Sequence, residues 1–263
     1  MPPLYNKPTI KRCIKLGQQA VNITLSNTDL IEIMRVVAIC AFAGGTSLAG
    51  GLIAKFINFS EKQVLFFTAF GAGILISAAI FAMVIEAEKA LGTFMTLIAF
   101  VAGSVVFTLA DVVAERKGGG AGILLGIGLD SIPESLAIGA SVAGGAGFVI
   151  ALLIGIQNVP EGIASFREMT SGKTTAFRGS KGKALIAIGI VSVIPIILGL
   201  IGLFYLQDMQ IVIALTLAVS AGGIFYMLFY DMIPKAHKDR KWLPTFGAVL
   251  GFIIGFALVR LIR

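Results

Sequence analysis

The sequence predicts an all-α polytopic membrane protein: a bundle of eight transmembrane helices with Pro-kinked fourth and fifth helices at its centre. Three observations predict it. Only 13% of the 263 residues are charged, against roughly 25% in a water-soluble domain. The mean hydropathy is +0.96. Apolar runs also recur along the chain between short polar connections, and a bilayer core about 30 Å thick needs roughly 20 such residues per helical crossing. The runs occupy 33–56, 64–86, 92–114, 121–143, 146–166, 184–206, 210–232 and 244–262. Residues 33–263 therefore read as one eight-helix transmembrane domain. Residues 1–32 read as a polar, basic tail: Lys7, Lys11, Arg12 and Lys15 lie among scattered apolar positions, without the compact apolar core and small-residue cleavage site of a signal peptide.

Within the spans, 32 glycines suit helices whose backbones approach closely where lipid removes the hydrophobic drive for association. AFGAG at 69–73 and AGG at 221–223 are expected packing faces. Cys13 and Cys40 lie far apart and imply neither a disulfide framework nor a thiolate metal site. The net charge of +7 is explained by the positive-inside rule rather than by nucleic acid. Connections after the odd-numbered spans, counted with the adjoining span ends, carry 13 Lys and Arg; the opposite side, both tails included, carries 7. Both termini are thus expected outside the cell, with the plasma membrane as the expected location. Phe56, Tyr205 and Trp242 suit the aromatic belts at the bilayer surfaces.

Acids at helix centres cost about 2.5–3.5 kcal/mol on insertion scales, so they face a cavity, a partner or a bound ion. The fourth span contains Asp130-Ser131-Ile132-Pro133-Glu134-Ser135-Leu136-Ala137, and the fifth contains Gln157-Asn158-Val159-Pro160-Glu161-Gly162-Ile163-Ala164. These are near-repeats. Residues four apart share a helix face, which stacks Asp130 on Glu134 and Gln157 on Glu161. At about 1.5 Å per residue, Asp130 lies roughly 13 Å from the inner end of its span and Gln157 roughly 16 Å from the outer end of its own. Both motifs reach the midplane. Antiparallel helices would then set four oxygen-bearing side chains around one point.

Each proline lacks a backbone donor and pushes aside the carbonyl four residues earlier, here those of Leu129 and Ile156. Irregular backbone at membrane depth is tolerated where it is buried in protein or lines a wet cavity, and broken helices at the midplane often hold a carrier's substrate. Three carboxylates with no intramembrane Lys or Arg to neutralise them point to a cation. The competing reading is a bundle glued by kinks and polar side chains, with its acids kept protonated by burial.

At these residues the sequence resembles the ZIP (Zrt/Irt-like) family of zinc and iron permeases, whose fourth and fifth helices carry motifs of the form H-N-x-P-E-G and H/Q-x-x-P-E. The second span, AFGAGILISAAIFAMVIEA, resembles the family's glycine-alanine stretch, and AGGIFYMLFYDMIPKAHK resembles its seventh helix. The resemblance covers most of residues 33–263. It implies eight helices, outward termini and a metal site between the fourth and fifth, formed by Asp130, Glu134, Gln157 and Glu161, with Ser131 and Asn158 lining a neighbouring second site. Several family ligands are missing. A histidine on the fourth helix is Asp130 here, a histidine and a proline on the second fall at Ala82 and Ile85, and a glutamate on the sixth falls at Ile194. A second metal site is therefore in question.

The remaining ligand set is carboxylate and amide oxygen, which suits harder ions such as Mn²⁺, whereas imidazole suits Zn²⁺. The expected function is transport of a divalent cation of the zinc, iron or manganese class, the ion being cargo and no cofactor being required. The expected partners are that ion and the lipid bilayer, with no nucleic acid; a homodimer is compatible with the sequence, which does not fix the oligomeric state. The rival readings are a membrane-embedded metalloenzyme and a non-transporting metal sensor. The first lacks H-E-x-x-H, and no nucleophile has a histidine base beside it. His237, the only histidine, sits in the basic run Lys235 to Lys241 and reads as solvated. Glu86, Glu88, Asp111 and Asp231 read as boundary residues.

Overall fold

The structure is a computed structural model that describes residues 27–115, 128, 131–132, 134–139, 141–142, 146–171, 180–206, 209–237 and 241–262. The described residues are almost wholly helical. In chain order they form α1 (Asn27–Phe56), α2 (Glu61–Ser77), a π-helical turn π1 (Ala78–Val84), α3 (Ile85–Glu115), α4 (Ala146–Thr170), α5 (Lys181–Val191), α6 (Ile194–Leu206), α7 (Gln210–Met227), a second π-helical turn π2 (Leu228–Met232), α8 (Ile233–Ala236) and α9 (Trp242–Ile262). Residues 134–139, in the expected fourth span, are helical too. Asp130 and Pro133 lie outside the described residues, as does most of that span.

Six of these helical stretches are long and apolar enough to cross a membrane. One of them, Glu61–Val113, has 53 residues, and a straight helix of that length would run about 80 Å, more than twice the bilayer core. It is broken at Gly92, whose φ of 74° and ψ of 163° leave the helical region, a conformation that glycine adopts without steric cost. The N-terminus of α2 is closed by a capping box: the Ser60 hydroxyl accepts from the Gln63 amide, and the Gln63 side chain accepts from the Ser60 amide at 2.8 Å. This satisfies two of the otherwise orphaned donors.

Two features of local geometry differ from the sequence reading. The run 184–206, expected as one helix, is interrupted at Ser192 and Val193, because Pro195 has no amide to donate back into the preceding turn. Pro160, expected to kink the fifth span, lies inside α4, with helix on both sides of it. The π-helical turns were not anticipated, since nothing in hydropathy distinguishes the wider turn.

Helices pair through reciprocal glycines. Gly50 of α1 faces the Val159 carbonyl of α4, and Gly162 of α4 faces the Ser47 carbonyl of α1. Gly73 of α2 and Gly251 of α9 face the carbonyls of Ala248 and Phe70; Gly103 of α3 and Gly222 of α7 face those of Val219 and Phe100. None of these sites has room for a Cβ atom. The expected packing role of AFGAG and AGG is thus borne out. Serine hydroxyls add cross-helix bonds, Ser77 to the Phe252 carbonyl at 2.7 Å and Ser104 to the Gly222 carbonyl at 2.9 Å. Small and polar residues are accordingly concentrated inside, while Phe94, Leu109, Ile190, Ile211 and Leu261 point outward. An outer surface so rich in large apolar side chains suits lipid as the surrounding solvent.

Candidate functional site

The site is built on α4, where the i to i+4 spacing brings Gln157 against Glu161: the Gln157 Nε2 donates to Glu161 Oε2 at 3.3 Å. The same Nε2 donates to Asn158 Oδ1. Asn158 Nδ2 in turn donates to the Ala43 carbonyl of α1 at 2.8 Å. Gln157 and Asn158 are 2% and 6% exposed, and Glu134 on the preceding helical segment is 4% exposed. Glu134 and Glu161 lie within electrostatic reach of each other. α2 comes close to the same place through Gly71, where a Cβ would stand 3.6 Å from both the Gln157 carbonyl and the Met232 Cε of π2.

Two polar atoms in this cluster have no hydrogen-bond partner among the described residues: Glu134 Oε1 and Gln157 Oε1, both buried. A buried acceptor without a donor costs roughly 1–3 kcal/mol, more if charged, so both oxygens need an explanation. Both are suited to a cation. Of the other expected site residues, Ser131 is half-buried and its carbonyl accepts the Ser135 hydroxyl, while Asp130 lies outside the described residues. Among the described residues no group of three or more His, Cys, Asp or Glu side chains stands together; of the expected donors, the carboxylates of Glu134 and Glu161 and the amide of Gln157 are described.

A further charged group was missed in the sequence although its i to i+4 spacing was legible. Lys235 Nζ pairs with Asp231 at 2.7 Å and reaches Glu168 of α4 at 3.8 Å. Asp231 and Lys235 both act electrostatically on Glu161. Asp231 is thus more than a boundary marker, because it joins the candidate site to the end of α4. Asp111, also read as a boundary residue, accepts a hydrogen bond from Tyr226 of α7 at 3.0 Å. Glu86 pairs with Lys89 at 2.6 Å beside the Gly92 break. His237 lies between the Ile233 carbonyl and the Thr245 hydroxyl of α9, at 3.3 and 3.0 Å.

The sequence model of the family described as ZIP zinc transporter matches residues 113–263, more than half of the chain and including both proline-containing motifs. The chain belongs to the ZIP zinc transporter family. No curated protein matches it. ZIP membership, with the apolar helices above, makes it a multi-pass integral membrane protein of a metal-ion transporter family. The match begins at Val113, so the second-span resemblance lies outside the matched stretch. Within that stretch, this ZIP chain places amide and carboxylate oxygens together and keeps its one histidine near the start of α9.

Proposed function

We propose that the protein carries a divalent cation of the zinc, iron or manganese class across the plasma membrane through an eight-span bundle. In this reading Glu134, Gln157 and Glu161 ligate the ion, joined by Asp130 from the fourth span, and Ser131 and Asn158 complete the polar wall. The count of eight follows if the 53-residue stretch crosses twice, turning at Gly92, and if residues 121–143 cross once. Both termini are then outside.

One observation carries the reading. Of the three buried side-chain oxygens with no hydrogen-bond partner among the described residues, two belong to Glu134 and Gln157 of the paired motifs and the third is the Ser141 hydroxyl. Opposite partial and full negative charges, brought together at bilayer depth, stabilise a dehydrated cation that nothing else there would hold. Transport requires that the ion also leave, and the charges of Asp231 and Lys235 beside Glu161 shape the field on that side. The set has only oxygen donors, which favours tolerance of Mn²⁺ beside Zn²⁺. Reconstituted vesicles loaded with a metal-sensitive dye test this: the wild type should take up Zn²⁺, Mn²⁺ and Fe²⁺, and Glu134→Gln with Glu161→Gln should not. Undiminished flux in both variants would remove the midplane site.

A further inference from the structure

The orientation of Gln157 is set from outside the site by a chain of donors and acceptors that begins on a backbone carbonyl. Ala43 C=O can only accept. The atom of Asn158 that faces it at 2.8 Å must therefore be the donor Nδ2, which turns Oδ1 toward Gln157. Oδ1 can only accept, so the Gln157 atom facing it must be Nε2, and that nitrogen also reaches Glu161 Oε2 at 3.3 Å, another acceptor. With both contacts on Nε2, the remaining Gln157 atom is the carbonyl oxygen, buried and without a donor among the described residues. Every assignment follows from the first. The anchor itself is fixed: Ala43 lies in α1, where its carbonyl also accepts the Thr46 hydroxyl at 2.7 Å, and α1 is held against α4 by Gly50 and Gly162.

We infer that Asn158 is a positioning residue that locks the Gln157 amide with its oxygen toward the ion. Both polar atoms of the Asn158 side chain are committed, Nδ2 to α1 and Oδ1 to Gln157. Freed from Asn158, Gln157 could flip its amide and present two hydrogens where the ion needs an oxygen. The inference rests on the midplane site proposed above.

The test is a double-mutant cycle on metal binding, with Zn²⁺ alone and Mn²⁺ alone as probes on the full-length protein in detergent. Loss of a residue that orients a ligand typically costs 10–100-fold in metal affinity, so Asn158→Ala and Gln157→Ala should each weaken binding by at least about tenfold. The double variant should be no weaker than Gln157→Ala alone, because Asn158 has nothing left to orient. Multiplying losses would mean that Asn158 touches the metal or acts on the site independently, and would overturn the inference while leaving the site intact. If Gln157→Ala binds as the wild type does, the site itself is misassigned and the inference falls with it. Should Asn158→Ala not accumulate as folded protein, Asn158→Ser, which keeps a donor but cannot span both partners, replaces it in the cycle with the same outcomes.

Discussion

Removing one charge from the site, by Glu134→Gln, separates a ligand from a structural acid because the two roles predict opposite signs in the metal-free protein. Glu134 is 4% exposed, and its Oε1 has no hydrogen-bond partner among the described residues. A divalent ion and a carboxylate about 4 Å apart attract by about 8 kcal/mol at an effective dielectric of 20. Most of that is offset, since a carboxylate buried without a partner costs several kcal/mol before any ion arrives. A net loss of about 3 kcal/mol corresponds to roughly a hundredfold weaker binding. At a metal concentration of about 100 times the wild-type Kd, the wild type gains about 2.7 kcal/mol of stability; a variant binding a hundredfold more weakly gains about 0.4 kcal/mol. Thermal unfolding in detergent, with and without Zn²⁺ or Mn²⁺, reads both quantities. The metal-free variant should melt at or above the wild-type temperature, because glutamine keeps the bulk of a carboxyl group whose Oε1 has no partner to lose among the described residues, while its metal-induced shift should nearly vanish. A metal-free variant that melts lower, with an undiminished shift on adding metal, would show that Glu134 holds the fold and does not hold the ion.

Four further outcomes follow from the same structure. Gly162→Ala, whose new Cβ would meet the Ser47 carbonyl, should cost about 1–3 kcal/mol by overpacking, whereas Gly45→Ala, with nothing within 4 Å, should be neutral in the same unfolding assay. A cysteine placed at Ser171, in a variant lacking Cys13 and Cys40, should resist an impermeant thiol reagent in intact cells, and prompt labelling would invert the topology. Apparent metal affinity should fall as external pH drops from about 7 to 5, because binding needs deprotonated carboxylates and releases their protons; an affinity flat across that range in vesicle uptake would remove these acids from the ion's coordination. In Asp130→His the Zn²⁺ to Mn²⁺ uptake ratio should rise, since imidazole nitrogen favours Zn²⁺; a ratio equal to that of Asp130→Ala and of the wild type would show that Asp130 does not touch the ion.

The helices were legible because lipid imposes a length and a composition that can be read along one chain: α1, α4, α7 with its continuations and α9 lie within a few residues of the expected spans. The burial of Glu134, Gln157 and Asn158 was legible because the near-repeat lies in the middle of apolar runs. Other features depended on contacts that no local pattern carries. Asp111 looked like a helix-end charge until Tyr226, 115 residues away, was seen to donate to it. The interruption at Ser192 could have been inferred from Pro195, while nothing in the composition of 78–84 or 228–232 marks the π-helical turns.

By itself the sequence determined that this chain lives in a membrane, roughly where it crosses, and which side chains at bilayer depth could face a cation. These follow from the cost of burying a charge or an unpaired peptide group in hydrocarbon, which acts on every residue separately. Only the tertiary structure decided which oxygen of each polar side chain is free. Asn158 and Gln157 carry the same two amide atoms in any sequence listing, and nothing along the chain says which way either points. That choice is made by the carbonyl of Ala43, 115 residues away in sequence and 2.8 Å away in space, because an acceptor on one helix dictates the donor on the next.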